Sequence, residues 1–387
     1  MTKAVKRASD NKKLGDDPMG KVLQLISAHK IFGAERVSLQ LCSSLRERFD
    51  LILGVMDRPE ARDNEVLRQA KEIGVRTVHI PTCSPLDRRA LSYLKQFIRR
   101  EGVSLVHSHN YKSNFYALLA RGRAPWMATA HCWGGTDRKA VVYETIDKFL
   151  IRFADCIVGV SLNLMEEFKA LRISPKKTVY IPNGIDSHWG GERELDDVFT
   201  VGFVGRFERE KNFTYVIKTF LAFIKEAPFK CQALVIGDGS LRHWAEEEIK
   251  RNGLEEKIFF TGKVPAEEME RYYRQLDCLF IPSLKEGLPM VVLEALSWGI
   301  PIVGSLVALR DVGKGPYAQI MEDPTHISSN VEAIKALARL YFEEPLTYQE
   351  VMQRARDRAQ DFSLSKMVDA YASLYSRLLE RNPESRP

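Results

Sequence analysis

Residues 199–225, FTVGFVG-RFEREKN-FTYVIKTFLAFIK, decide the fold: a short apolar run, a polar turn, then a helical pattern in which apolar positions repeat every three or four residues. That order makes a β-loop-α unit. The unit recurs downstream, with strands expected at 231–237 (CQALVIG), 257–262 (KIFFTG), 278–283 (CLFIPS) and 301–305 (PIVGS). Helices are expected between them at 241–252, at 266–276 and around Glu294. Short apolar runs alternating with helices imply a parallel sheet covered on both faces.

The same alternation is present upstream. Residues 21–27 (KVLQLIS) read as a buried strand, followed by Gly33 and a helix beginning near Ala34. Further strands are expected at 51–56, 75–80, 104–109, 126–131 and 156–161, with helices at 64–73 and 86–100. Between the two series, 181–199 (IPNGIDSHWGGERELDDVF) is rich in turn formers and charge and reads as a connection. The expected organisation is a flexible polar tail at 1–19, a Rossmann-like domain at 20–185 and a linker at 186–198. A second Rossmann-like domain follows at 199–361, and a terminal helix at 362–387.

At 387 residues the chain is long enough for two such α/β domains, each with its own core. Hydrophobic residues at 45% and charged residues at 28% argue against extended disorder or a fibrous form. A net charge of +6 favours anionic ligands or an anionic membrane surface, and no nucleic-acid partner is expected. The six cysteines are scattered without a CxxC pair, which argues against a zinc site or a disulfide framework and fits a reducing compartment. The first nineteen residues lack the apolar stretch of a signal peptide, and no run of eighteen apolar residues occurs. A cytoplasmic protein is expected, with any membrane contact peripheral and on the inner face of the cytoplasmic membrane.

In open parallel sheets, ligands bind where strands end and helices begin. Arg206 follows the strand at 199–205, and Lys211 precedes the next helix. Two cations there suit a diphosphate, although the acids of GRFEREK could make it a plain solvated loop. Glu286 lies in a loop punctuated by Gly287 and Pro289, and Glu294 lies among Val292, Leu293, Ala295 and Leu296. No Lys or Arg is spaced to pair with Glu294 on its own helix, and a carboxylate in apolar company needs a hydrogen-bond partner. A ligand bearing hydroxyls would supply one. Gly33 would allow close approach of a phosphate or sugar, or simply form a turn. His131 ends a strand and could bind a hydroxyl or be structural. His107 and His109 alternate on one strand without the acids or cysteines of a metal set. Gly237-Asp238-Gly239 lacks the full G-x-G-x-x-G spacing, so a nicotinamide site is poorly supported. No Asp-x-Asp occurs, so diphosphate charge falls to Arg206 and Lys211. The helix at 86–100 sets Arg88, Arg89, Lys95, Arg99 and Arg100 against an apolar stripe that either packs on the sheet or lies on anionic lipid.

Taken in order, FGAERV at 32–37, IPNGID at 181–186, GRFEREKN at 205–212, IGDGSLR at 236–242, FTGKV at 260–264 and PSLKEGLPMVVLEALSWGIPIV at 282–303 resemble the retaining glycosyltransferases of family four, the GT-B fold. The resemblance implies that Glu286 meets the donor sugar, with Gly287, Leu288 and Pro289 in the same binding loop. It implies that Glu294 meets the ribose and that Arg206 and Lys211 meet the diphosphate. It further places Gly33 near phosphate and acceptor, His131 near the sugar ring, and Lys263 and Val264 beside the base. A hexose would move from a UDP- or GDP-sugar, without a metal or other cofactor, to a glycan or lipid-linked acceptor in surface polysaccharide or lipopolysaccharide assembly. Such enzymes return the final helix to the N-terminal domain. The chain departs from the family in having Phe32-Gly33 where paired glycine is common, and in lacking a glycine-rich stretch ending in Pro-Glu after Pro301. A sugar-nucleotide epimerase of the same fold, or a catalytically silent sugar-nucleotide-binding protein, would share most of these features.

Overall fold

A computed structural model describes residues 20–60, 63–134, 138–186 and 195–381. The expected polar tail, residues 187–194 of the expected linker and residues 382–387 of the expected terminal helix lie outside the described residues.

Thirteen strands fall into two sheets among the described residues. The first holds β1 (Lys21–Ser27), β2 (Asp50–Asp57), β3 (Arg76–Pro81), β4 (Leu105–Ser108), β5 (Trp126–Ala130), β6 (Cys156–Gly159) and β7 (Thr178–Tyr180), in the order β3-β2-β1-β4-β5-β6-β7. The second holds β8 (Phe199–Val204), β9 (Cys231–Ile236), β10 (Ile258–Gly262), β11 (Cys278–Ile281), β12 (Ile302–Ser305) and β13 (Ala318–Met321), in the order β10-β9-β8-β11-β12-β13. The pairs β1·β2, β1·β4, β8·β9 and β8·β11 all run parallel. In each sheet the order reverses at the opening strand, between β1 and β4 and between β8 and β11. Such reversals open a crevice at the carboxyl ends of the strands. The loops leaving β8 and β11 carry Arg206 and Lys211 on one side and Glu286 on the other.

The chain groups into two compact units, Met1–Met127 with Tyr371–Pro387, and Ala128–Ala370. In the first, Gln24, His107 and His109 are fully buried or nearly so. The Tyr375 hydroxyl accepts from Gln24 at 3.1 Å and bonds His107 Nδ1 at 2.7 Å, while His109 Nε2 lies 3.0 Å from Gln24 Oε1. The two histidines serve a buried polar network that ties helix Leu364–Glu380 to β1 and β4. In the helix Arg88–Glu101, Ala90, Leu94, Phe97 and Ile98 are buried, and the five cations at 88, 89, 95, 99 and 100 face solvent. Asp87 accepts from the backbone N–H of Arg89 and Ala90 at its start, and Gly102 closes it at a φ of 64°.

In the second unit an aromatic core gathers Phe199, Phe203, Phe207, Phe213, Phe220 and Phe280, all fully buried. The helix expected at 266–276 is shorter, a 3-10 turn at Ala266–Glu268 followed by Met269–Tyr273. Strands β7 and β13 escape a reading by periodicity because they are only three and four residues long and sit at sheet edges, half-buried in part. Ile185 and Ser363 pair as a parallel bridge, with Leu364 N donating to Ile185 O at 2.8 Å. Among the described residues no helix is long and apolar enough to cross a membrane.

Candidate active site

The turn after β8 is not a loose charged loop. Phe207 lies in its middle, fully buried, its ring stacked on Phe213 at 4.1 Å and 7° from parallel. The turn after β9 lies directly beneath it: Phe207 N donates to Asp238 O at 3.0 Å, and Leu241 N donates to Phe207 O at 3.1 Å. A Cβ on Gly237 would stand 2.0 Å from Gly205 O, and one on Gly239 2.6 Å from Phe207 N. The two glycines of the GDG turn are therefore required by backbone contact. Glu208 accepts from both the backbone and the hydroxyl of Ser240, at 3.0 and 2.7 Å, which holds its carboxyl below the usual range.

On this clamped turn Arg206 points outward, half-exposed, and donates to Glu210 at 2.7 Å. Lys211 turns inward across the crevice, its Nζ 2.5 Å from Glu286 Oε1, with side-chain exposures of 19% and 9%. The two residues marked separately in the sequence are thus one ion pair spanning β8 and β11. Asn212, at a φ of 56°, sets the start of helix Phe213–Glu226 at the same place.

The Glu286 loop is pinned from the other side by the end of β5. A Cβ on Gly287 would come within 1.8 Å of His131 O. Asn183 Nδ2 donates to Leu288 O at 3.0 Å, and Pro289 caps helix Met290–Ser297. His131 keeps a little solvent contact but is crowded by protein atoms, and this loss of hydration pushes its imidazole down to about 4, so it is neutral near pH 7. Cys132, exposed at the surface, has its thiol pushed up to about 12, first by loss of hydration and next by the Glu286 charge. Beside this loop lies a recess of about 410 Å³, lined in part by Cys132, Trp133, Glu166, Lys285, Glu286 and Arg310. It shares Glu286 with the ion pair but does not reach Arg206, Lys211 or Glu294.

Glu294, half-buried, has a partner that its own helix could not reveal. The Tyr273 hydroxyl donates to its Oε2 at 2.5 Å, so protein already holds the oxygen for which a ligand was expected. Tyr273 stands twenty-one positions earlier, on a helix too short to carry a periodic signal. Lys263 and Val264 follow β10 at its carboxyl end, Lys263 exposed. Gly33 opens helix Gly33–Leu45, exposed, where the Glu35 side chain accepts from Phe32 N at 3.0 Å. Gly33 belongs to the first unit, and the other candidate residues belong to the second. Within the second, the structure brings Lys211, Glu286, Gly287 and His131 together and couples Glu294 to Tyr273.

The family described as Glycosyltransferase Family 4 matches residues 31–189, and that described as Glycosyl transferases group 1 matches residues 198–339. A putative glycosyltransferase of Bacillus subtilis, EpsF, is 25% identical over 349 residues, covering 82% of this chain and 88% of that protein. The Escherichia coli UDP-Gal:alpha-D-GlcNAc-diphosphoundecaprenol alpha-1,3-galactosyltransferase is 25% identical over 375 residues, 89% and 93% of the two chains. In fold, the chain is similar to Anabaena HepE, solved with UDP and glucose, at a TM-score of 0.77 and 16% identity over 92% of this chain and 99% of that one. Two parallel sheets reversing at their first strands, a cationic turn facing a carboxylate loop, and both family matches in sequence order lead to one assignment: the chain belongs to the family four, group 1 glycosyltransferases of the GT-B fold.

Proposed function

We propose that this glycosyltransferase moves a hexose, with retention of anomeric configuration, from a UDP- or GDP-sugar to a glycan or lipid-linked acceptor of bacterial surface polysaccharide or lipopolysaccharide assembly. The observation that carries the reading is the Lys211–Glu286 pair at the crevice between β8 and β11, with Arg206 beside it. Two cations at strand and helix ends can take a diphosphate and stabilise it as it departs, an electrostatic task that needs no metal. Glu286 then meets the sugar hydroxyls, and neutral His131, fixed against Gly287, faces the ring. Glu294, oriented by Tyr273, takes the ribose, while Lys263 and Val264 border the base. Gly33 lies by the acceptor. The names of the Escherichia coli galactosyltransferase and of HepE with its UDP support a uridine donor and a polyprenyl-linked acceptor. Such an acceptor would hold the enzyme peripherally at the cytoplasmic face of the membrane.

A thermal-shift screen of UDP, GDP, ADP and their sugars tests the donor site, with Lys211→Ala and Glu294→Ala as controls. Stabilisation of the native chain alone is expected, and none by any nucleotide sinks the reading. Nucleotide release that requires acceptor separates transfer from epimerisation and from silent binding. Proton NMR of the product reads the anomeric configuration, and turnover in EDTA tests metal independence.

A further inference from the structure

Helix Arg138–Leu150, with the 3-10 turn Ile151–Phe153 that continues it, leaves a row of large apolar side chains in water. Val141, Val142, Ile146, Phe149 and Phe153 are 49%, 56%, 47%, 60% and 50% exposed. Positions 142, 146, 149 and 153 recur at intervals of four, three and four, so they share one helix face. The rings of Phe149 and Phe153 meet edge to face at 5.5 Å, forming a continuous apolar ridge. A cluster of this kind on a soluble surface marks a contact with something else.

The helix cannot roll to hide the ridge, because its other side is fastened. Asp147 is buried and accepts from Trp133 Nε1 at 2.9 Å, Lys148 pairs with Glu167 at 2.9 Å, and Ile151 is buried. Cations outnumber acids at the ends of the ridge, where Asp155, just past Phe153, is an exposed carboxylate. Arg138, Lys139 and Arg152 are exposed at its ends, whereas Glu144, two residues beyond Val142, projects to the opposite side.

We propose that this face docks on an anionic lipid bilayer, with Phe149 and Phe153 at the boundary of headgroups and acyl chains and Arg138, Lys139 and Arg152 against lipid phosphates. The inference rests on the peripheral membrane contact of the proposed function and names the surface that makes it. Charge selects the occupant: a second copy joined through the same face would set these cations against their own images across a two-fold axis. The basic helix Arg88–Glu101 is a poorer anchor, since most of its apolar stripe is spent on the core and it leaves Tyr93 as its exposed large apolar side chain, where this ridge has five. An apolar ridge together with flanking charge supplies the two signals that stable membrane attachment takes.

Vesicle flotation of the full chain, with phosphatidylcholine alone or mixed with phosphatidylglycerol, tests this. The native chain is expected to float with the anionic vesicles, and Phe149→Ser/Phe153→Ser to lose about tenfold or more in partitioning. The thermal midpoint and the nucleotide-induced shift should both be unchanged. Val142→Glu, which places repulsive charge on the ridge, gives a second, independent loss. Unchanged flotation of both variants overturns the proposal while leaving membrane contact standing, most directly if neutralising Arg88, Arg89, Arg99 and Arg100 abolishes flotation instead. Absence of native binding to any vesicle removes membrane contact altogether and leaves the transfer reading to its own nucleotide tests. A concentration-dependent dimer that Phe149→Ser/Phe153→Ser dissolves would reassign the ridge to a second copy.

Discussion

Lys211 Nζ lies 2.5 Å from Glu286 Oε1, so the cation proposed for the diphosphate and the carboxylate proposed for the sugar pair with each other. An incoming diphosphate must compete with Glu286 for the ammonium. Glu286→Gln therefore tightens binding of free UDP or GDP, by about three- to tenfold, on the order of 1 kcal/mol, while transfer falls steeply. Isothermal titration reads the affinity, and equal or weaker nucleotide binding in Glu286→Gln would refute the competition.

Tyr273 meets Glu294 through a hydroxyl donated at 2.5 Å. Tyr273→Phe is expected to weaken nucleotide binding about three- to tenfold by leaving the carboxylate free to turn, a net loss near that of one hydrogen bond. Glu294→Ala should cost more than Tyr273→Phe. Equal affinities of native chain and Tyr273→Phe would limit the tyrosine to packing.

Gly287→Ala places a methyl where His131 O already stands, within 1.8 Å, and the atom in the way is backbone. The loop or the end of β5 must move. A destabilisation of about 1–3 kcal/mol and loss of transfer are expected, read by urea unfolding and by acceptor-dependent nucleotide release. A fully active, equally stable Gly287→Ala would contradict this packing.

His131 is held near 4, below its ordinary 6.5, by loss of hydration. The unfolded chain then binds more protons between those values, so the histidine's contribution to stability is complete above about pH 6.5 and declines as pH falls toward 4. Compared with His131→Gln, the native chain should lose more stability between pH 7 and pH 4.5. Parallel unfolding curves across that range would show that the imidazole is not shielded.

The strands, most helices and the doubled architecture were legible because buried parallel strands are short apolar runs and their helices carry an apolar stripe. Strands β7 and β13 were not, since edge strands of three or four residues make no pattern. The ends of β8 and β11 could be marked as ligand sites from strand and helix order alone, but their meeting depends on β8 and β11 being neighbours, which only the sheet order reveals. Tyr273 was beyond reach for the same reason: its link to Glu294 is made by packing between two helices. The GDG turn was recognised as an incomplete fingerprint, and its purpose became clear only when Gly237 and Gly239 were found under the backbone of Phe207. For membrane contact, charge pointed to helix Arg88–Glu101, whereas exposure, which no composition encodes, points to Phe149 and Phe153.

The ion pair across the crevice also bears on how the enzyme would finish a cycle. Once the sugar has left, the spent nucleoside diphosphate faces a rival that is covalently part of the protein and never diffuses away: Glu286 can reclaim Lys211 as soon as the phosphates loosen their hold. On the proposed reading, in a cell where spent nucleotide accumulates beside fresh donor, that built-in rival would favour release of the product.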